Sequence, residues 1–278
     1  MHRITDYIRQ SLQGIYPPEE IRALSMMICC DMLGISALDI YTGKDITLSA
    51  CEQRELENII LRLRENEPIQ YICGYADFCG MRFHVAPGVL IPRPETAELV
   101  DLICNENRSA RKILDIGTGS GCIAISLSRR LPEAEVDAWD ISDEALAIAR
   151  KNNETLSGNV TFFKQDALAD NLPAGCHYDL IVSNPPYVME SEKRTMDPNV
   201  LEWEPGEALF VPDEDPLLFY RHIAALGKQL LEEGGKLYFE INQKLGAEMV
   251  RLLEAYQYYN IHIIKDFFGN DRIVTANR

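Results

Sequence analysis

The sequence predicts an α/β protein: a doubly wound, mostly parallel sheet, preceded by a small N-terminal helical domain and joined to it by a β-hairpin. Three observations carry that prediction. From about residue 111 onward, strand-like and helix-like stretches alternate. Residues 3 to 66 show helical spacing with almost no strand signal, and between 67 and 95 the texture changes to short alternating runs and prolines. The divisions that follow are 1–70 for the helical domain, 71–95 for the hairpin and proline-rich connector, and 96–278 for the α/β domain.

In the helical part, Ser49-Ala50-Cys51-Glu52 reads as a capping box. It opens a helix with Leu56, Ile59, Ile60 and Leu63 on one face and Arg54, Glu57, Arg62 and Arg64 toward water. The stretch Ala23 to Cys30 is read as bundle core in preference to an adaptable methionine groove. The runs Tyr71 to Tyr75 and Met81 to Val85, with Gly80 between, suggest the hairpin. Pro87, Pro92 and Pro94 then fix φ at three positions, so the connector holds one shape. Arg93, between two of them, is expected to pair with a carboxylate such as Glu95 or Glu98 in preference to reaching into a cleft.

Strands are expected at 112–116, 135–140, 160–163, 179–183 and 235–241, with helices from Ser120, from Ser142 and over about 215–233. Two last strands, near 261–266 and 272–276 and joined through Phe268-Gly269-Asn270-Asp271, suggest an antiparallel addition to the sheet.

Composition narrows the function classes. The chain has 278 residues, with 27 Lys plus Arg against 43 Asp plus Glu and a net charge of -16. Nonspecific nucleic-acid affinity comes from cations displacing condensed counterions, and neither the part of the chain before Glu95 nor the part after it has the surplus for it. No apolar run approaches the ~18 residues of a membrane span, and the start lacks the apolar core of a leader, so a cytoplasmic protein is expected, with a monomer as the default. The eight cysteines (Cys29, Cys30, Cys51, Cys73, Cys79, Cys104, Cys122 and Cys176) form no Cys-x-x-Cys pair, and no metal site is expected.

The chemistry sits at strand ends. Asp115-Ile116-Gly117-Thr118-Gly119-Ser120-Gly121 follows a strand and opens a helix, allowing close backbone approach of a ligand or simply a tight turn. Cys122 stands where a dinucleotide fingerprint wants its third small residue, so a nicotinamide site is disfavoured. Asp140, at the end of the second strand, can accept from ribose hydroxyls, which suggests an adenosine-containing cofactor. After the third strand, Asp166 can accept from an adenine amino group and the Ala167 N–H can reach a ring nitrogen, or Asp166 is a solvated loop residue.

Asn184-Pro185-Pro186-Tyr187 ends the fourth strand. The prolines stop the strand and stiffen the backbone, leaving the Asn184 side chain and the Pro185 carbonyl as acceptors and Tyr187 to stack on a planar group. An amide or exocyclic amino nitrogen, donating two N–H groups to those acceptors, fits them. His84, His177 and Cys122 are read as structural.

With these motifs the chain resembles the class I S-adenosylmethionine-dependent methyltransferases and, more closely, the release factor glutamine methyltransferase family. The likeness runs through Glu67-Pro68, Pro87 to Thr96, Asp115 to Cys122, Asp140-Ile141-Ser142, Val182 to Tyr187, Glu204-Pro205, Tyr220-Arg221, Phe239-Glu240-Ile241 and Gly269 to Arg272. It departs from the family pattern at Ala97, at Asn242 and over Asp213 to Pro216.

The resemblance implies a seven-stranded class I methyltransferase-type sheet with its last strand antiparallel, a substrate-binding N-terminal domain and a cofactor-binding catalytic domain. It implies S-adenosylmethionine as cofactor, held by Gly117, Thr118, Gly119, Ser120, Gly121, Asp140, Asp166, Ala167 and Asn184. It implies that Asn184, Pro185, Pro186 and Tyr187 frame a substrate glutamine, with Asn184, Pro185 and Tyr187 catalytic, in the Gly-Gly-Gln loop of class 1 peptide chain release factors. The alternatives are another protein glutamine, a nucleic-acid amino group, or a noncatalytic adaptor on a vestigial cofactor fold. An anionic enzyme meeting a basic partner would associate faster at low salt.

Overall fold

The computed structural model describes residues 4–42, 44, 46–169 and 177–278; residues 1–3 and Cys176 lie outside the described residues. The chain divides into two compact units, residues 1–74 with 197–203 and residues 75–196 with 204–278.

The first unit is helical. Its helices are Ile4–Leu12, Pro18–Met27 running into a π-helical turn Ile28–Met32, Ala37–Thr42, Ala50–Arg64, Ile69–Cys73 and the sequence-distant Pro198–Trp203. Both halves of the capping box form: Ser49 Oγ accepts from Glu52 N, and Glu52 Oε2 accepts from Ser49 N at 2.7 Å. Leu56, Ile59, Ile60 and Leu63 are buried with Ile8, Leu12, Ile21, Leu24, Ile28 and Cys29, so the apolar stretch ending at Cys30 serves the bundle core. The Trp203 indole N–H donates to the Glu65 carbonyl at 3.0 Å.

One expectation is corrected here. Ile69–Cys73 is a helical turn rather than a strand, and Gly74 ends it in the left-handed region at φ +81°. Five residues are too few for periodicity to separate helix from strand, and the glycine C-cap decided the conformation.

In the second unit the hairpin pairs β1 (Tyr75–Phe78) with β2 (Met81–His84). The large sheet contains β3 (Lys112–Ile116), β4 (Glu135–Asp140), β5 (Val160–Lys164), β6 (Tyr178–Ser183), β9 (Leu231–Glu240), β10 (Tyr259–Lys265) and β11 (Asp271–Asn277). Between β6 and β9, the two-residue strands β7 (Val188–Met189) and β8 (Phe210–Val211) pair with each other. The seven-stranded order is β10-β11-β9-β6-β3-β4-β5. The last strand, β11, inserts between β9 and β10 and runs antiparallel to both, while the other pairings are parallel.

Both faces of the central strands are buried, while the edge strands β5 and β10 are largely exposed. Ile113, Leu180, Val182 and Tyr238 belong to one core with residues of helices Pro94–Glu106 and Cys122–Arg130. Leu114, Ile181, Leu237 and Phe239 belong to the other with residues of Leu218–Leu230 and Gly246–Ala255. Two buried faces are why central strands such as β3 and β6 read as nearly continuous apolar runs. Among the described residues, no helix is long and apolar enough to cross a membrane.

Candidate active site

Sheet register assembles the site. Across β4, β3, β6 and β9 the residues Trp139, Ile116, Ser183 and Phe239 stand in one line. The next residue of each strand is therefore Asp140, Gly117, Asn184 or Glu240, a row along the carboxyl edge. The chain winds outward in both directions from the gap between β3 and β6, so Gly117 and Asn184 flank a topological switch point, where open α/β sheets take ligands.

The three loop glycines do different work. Gly117 and Gly119 have φ of +76° and +54°, and a Cβ built on either would meet nothing within 4 Å. Their conformation needs glycine and the space above them is open, a cradle into which a ligand can come close to backbone. Gly121 has φ +81°, and its Cβ would lie 2.9 Å from Ile125 Cδ1 and 3.2 Å from Ala149 Cβ, so it lets the following helix pack against its neighbour. We expect Gly121→Ala to lose about 2–3 kcal/mol in urea unfolding, from the left-handed strain plus overpacking, and Gly119→Ala about 1 kcal/mol from strain alone. Equal losses would contradict this division.

Carboxylates hold the loop from below. Asp115, fully buried, accepts from Thr118 Oγ1 at 2.7 Å, and burial pushes its carboxyl up to about 7 against that hydrogen bond. A carboxyl pKa raised by folding makes the native state the stronger proton binder. This group's stabilising contribution is therefore complete below the ordinary Asp range near 4 and is lost as pH rises toward 7. We expect Asp115→Asn to gain on the parent between pH 5 and pH 8 by on the order of 2 kcal/mol in denaturant unfolding. A difference independent of pH would count against it.

Asp140 Oδ2 accepts from Gly119 N at 2.8 Å and Oδ1 from Ser142 N at 2.9 Å. Burial raises its carboxyl pKa, and backbone N–H groups of Ser142, Gly119 and Ile141 oppose the rise. Each oxygen keeps acceptor capacity beyond these bonds, as ribose hydroxyls require. Asn152, buried in helix Asp143–Thr155, ties loop to hairpin: Nδ2 donates to the Ser120 and His84 carbonyls, each at 2.9 Å, and Oδ1 accepts from His84 N. Nothing in its sequence context signalled that role.

Asp166 caps its own turn, Oδ1 accepting from Leu168 N at 2.8 Å, and Ala167 packs beside the second core. The open glycine cradle, the spare acceptors of Asp140 and this turn beyond β5 fit an adenosine-bearing cofactor.

At the end of β6, Asn184 Nδ2 donates to Thr96 Oγ1 at 3.3 Å, and Thr96 donates to Glu240 Oε2 at 2.7 Å. The Tyr187 hydroxyl donates to Glu240 Oε1 at 3.0 Å. Burial pushes the Tyr187 phenol upward, and the neighbouring Glu240 adds to the rise. Burial also raises the Glu240 carboxyl, against hydrogen bonds from Thr96 and Tyr187 and the positive charge of Arg272. Tyr187 is thus held by its hydroxyl rather than left free to swing. Thr96, Glu240 and Arg272 carried no role in the sequence reading; a carboxylate directly after the apolar run Leu237-Tyr238-Phe239 was the available signal.

Arg93 does pair with a carboxylate, but with neither Glu95 nor Glu98. Its guanidinium meets Glu204 Oε1 at 2.5 Å, while Glu204 Oε2 accepts from Ile91 N at 3.0 Å. Glu204 lies 111 positions away in sequence and is buried, so only folding could choose it over Glu95 and Glu98. Asn242 clamps the turn after Tyr187, donating to the Tyr187 carbonyl at 3.2 Å and to Glu192 Oε2 at 2.8 Å. Burial drives the Cys122 thiol up to about 12, which leaves it protonated and unreactive. Among the described residues no cluster of His, Cys, Asp or Glu could hold a metal ion.

Comparison with known proteins agrees with this geometry. Residues 95–201 match the methyltransferase small domain family and residues 4–74 match the PrmC N-terminal domain family. A release factor glutamine methyltransferase of Bacteroides thetaiotaomicron is 71% identical over 100% of both chains. One from Flavobacterium psychrophilum is 45% identical over 96% of this chain and 95% of its own. Among solved structures, a Pyrococcus furiosus methyltransferase superposes with a TM-score of 0.54 at 19% identity, over 80% of this chain and 98% of its own. A T. thermophilus 16S rRNA N2 G1207 methyltransferase, in complex with AdoMet and guanosine, gives 0.54 at 19% identity over 73% and 49%. These two likenesses establish the methyltransferase fold, and the full-length identities establish the rest: the chain belongs to the release factor glutamine methyltransferase family.

Proposed function

We propose that this protein methylates the side-chain amide nitrogen of the glutamine in the Gly-Gly-Gln loop of class 1 peptide chain release factors, with S-adenosylmethionine as methyl donor. The observation that carries the reading is the pair of acceptors at the end of β6. Asn184 Oδ1 and the Pro185 carbonyl take no hydrogen bond from any described residue, beside an open glycine cradle and in a chain of this family. Bound S-adenosylmethionine supplies an electrophilic sulfonium methyl. Gly117 to Gly121, Asp140, Asp166, Ala167 and Asn184 would hold it by backbone, ribose and adenine contacts.

A primary amide is a weak nucleophile because its nitrogen lone pair is delocalised into the carbonyl. Asn184 Oδ1 and the Pro185 carbonyl accept its two N–H hydrogens, favour pyramidal nitrogen and aim the lone pair, so the chain works through orientation and electrostatics. Pro186 and Tyr187 frame the amide plane. Once methylated, the nitrogen is acidic enough to lose a proton to water, and no His or Cys is needed as base. The helical unit holds the release factor, and the anionic surface draws in a basic partner in the cytoplasm, with the enzyme acting as a monomer.

The test is transfer of labelled methyl to a class 1 release factor, beside the same factor with its loop glutamine changed and beside duplex DNA. Label on the intact factor alone is the expected result. Label on the changed factor or on DNA would overturn the substrate assignment.

A further inference from the structure

With the Glu240 carboxyl ionised, hydrogen-bond polarity in the buried network beside Asn184 runs in one direction. Glu240, 1% exposed, is an acceptor on both oxygens: Oε1 takes the Tyr187 hydroxyl and Oε2 takes the Thr96 hydroxyl. Thr96, 2% exposed at the start of helix Pro94–Glu106, has one hydroxyl hydrogen and gives it to Glu240. Toward Asn184 it is therefore only an acceptor, so Asn184 must turn Nδ2 to it at 3.3 Å and keep Oδ1 for the cleft. The opposite orientation would set an NH2 group against a substrate amide that also donates.

We infer that Glu240 and Thr96 are positioning residues for methyl transfer: the buried carboxylate sets the direction of the Thr96 hydroxyl, and that hydroxyl selects which end of the Asn184 amide faces the substrate. The inference deepens the proposed function and rests on Asn184 as acceptor for the substrate nitrogen. Both residues are buried, so they act through Asn184 and Tyr187. Tyr187 shares the Glu240 carboxylate, so one buried anion anchors two members of the Asn184 to Tyr187 motif from outside the cleft.

Glu240→Gln tests it with no change in shape. The introduced carboxamide accepts from Tyr187 with its oxygen and donates from its NH2 to Thr96 Oγ1. The Thr96 hydroxyl then donates to Asn184 Oδ1, and Nδ2 turns to the cleft. Every member keeps a partner, so melting temperature and S-adenosylmethionine affinity stay near the parent values. The kcat for release-factor methylation falls about 100-fold, because an acceptor has become a donor. The Asn184 side-chain amide resonances in 15N NMR shift with the exchange of partner.

Adding Asn184→Asp to Glu240→Gln restores an acceptor at the cleft, since one carboxylate oxygen takes the Thr96 hydroxyl and the other faces the substrate. Activity recovers at least about 10-fold over Glu240→Gln alone. In the parent background Asn184→Asp sets two acceptors against each other at Thr96 and is impaired. Thr96→Val, nearly isosteric, is a second probe should Glu240→Gln unfold: kcat drops, while Thr96→Ser, which keeps the hydroxyl, retains it. Glu240→Gln or Thr96→Val with the parent kcat overturns the relay, as does a double variant no better than Glu240→Gln. Asn184→Ala in the same assay separates the two levels, because parent-like turnover in that variant sinks the acceptor role itself.

Discussion

Asn184→Ala is expected to lower kcat for methyl transfer by about 10²- to 10³-fold while S-adenosylmethionine affinity stays within a few-fold of the parent, the size of losing one preorganised electrostatic partner of a reacting group. The geometry explains the asymmetry. Asn184 sits beside Gly117 in the row of strand ends and is one of the proposed cofactor contacts, but the backbone of the glycine loop, Asp140, Asp166 and Ala167 make the others. Truncation removes the acceptor that aims the amide nitrogen and orphans the Thr96 hydroxyl oxygen, without touching the loop. Single-turnover rates with saturating cofactor, alongside calorimetric cofactor titration, measure the two quantities separately. A loss that falls mainly on cofactor binding would mean that Asn184 serves the cofactor instead.

The second large effect is on stability. Arg93→Ala should cost roughly 3 kcal/mol, because it strands the buried Glu204 carboxylate with one backbone donor, Ile91 N, while Arg93 itself was a third exposed and returns little on release. In a chain of this size that is a fall in melting temperature of about 6–12 °C. Removing both charges with Arg93→Met and Glu204→Gln, which keeps an acceptor for Ile91 N, should recover most of the loss, because the cost lies in the unpaired buried charge rather than in an absent attraction. An Arg93→Ala variant that melts with the parent but has lost activity would move Arg93 from the scaffold into the cleft.

These two residues show where the sequence was readable. The position of Asn184 at a strand end was legible, since no strand continues through two prolines. The alternation of strands and helices, the glycine loop and the carboxylate at the end of β4 are local patterns with local causes: burial on both sheet faces, positive φ, and the position of a strand end. Arg93 was read as an ion-pair former, but its expected partners lay within five residues, and the real one was 111 residues distant. Tyr71 to Cys73 was read as strand for the same kind of reason, a window too short for its period to show.

By itself, then, the sequence determined the fold class, the order of elements and the residues that stand at strand ends, because each is dictated by interactions within about one helical turn or one strand. Tertiary structure decided what those residues hold. Parallel register aligned Asp140, Gly117, Asn184 and Glu240 into one row, and folding brought Thr96 to Glu240 across 144 positions and Asn152 to His84 across 68. Such bonds leave no periodic trace in the chain. They arise because a buried donor or acceptor must find a partner among whatever the packed elements bring within about 3 Å, a choice made in space and not along the sequence.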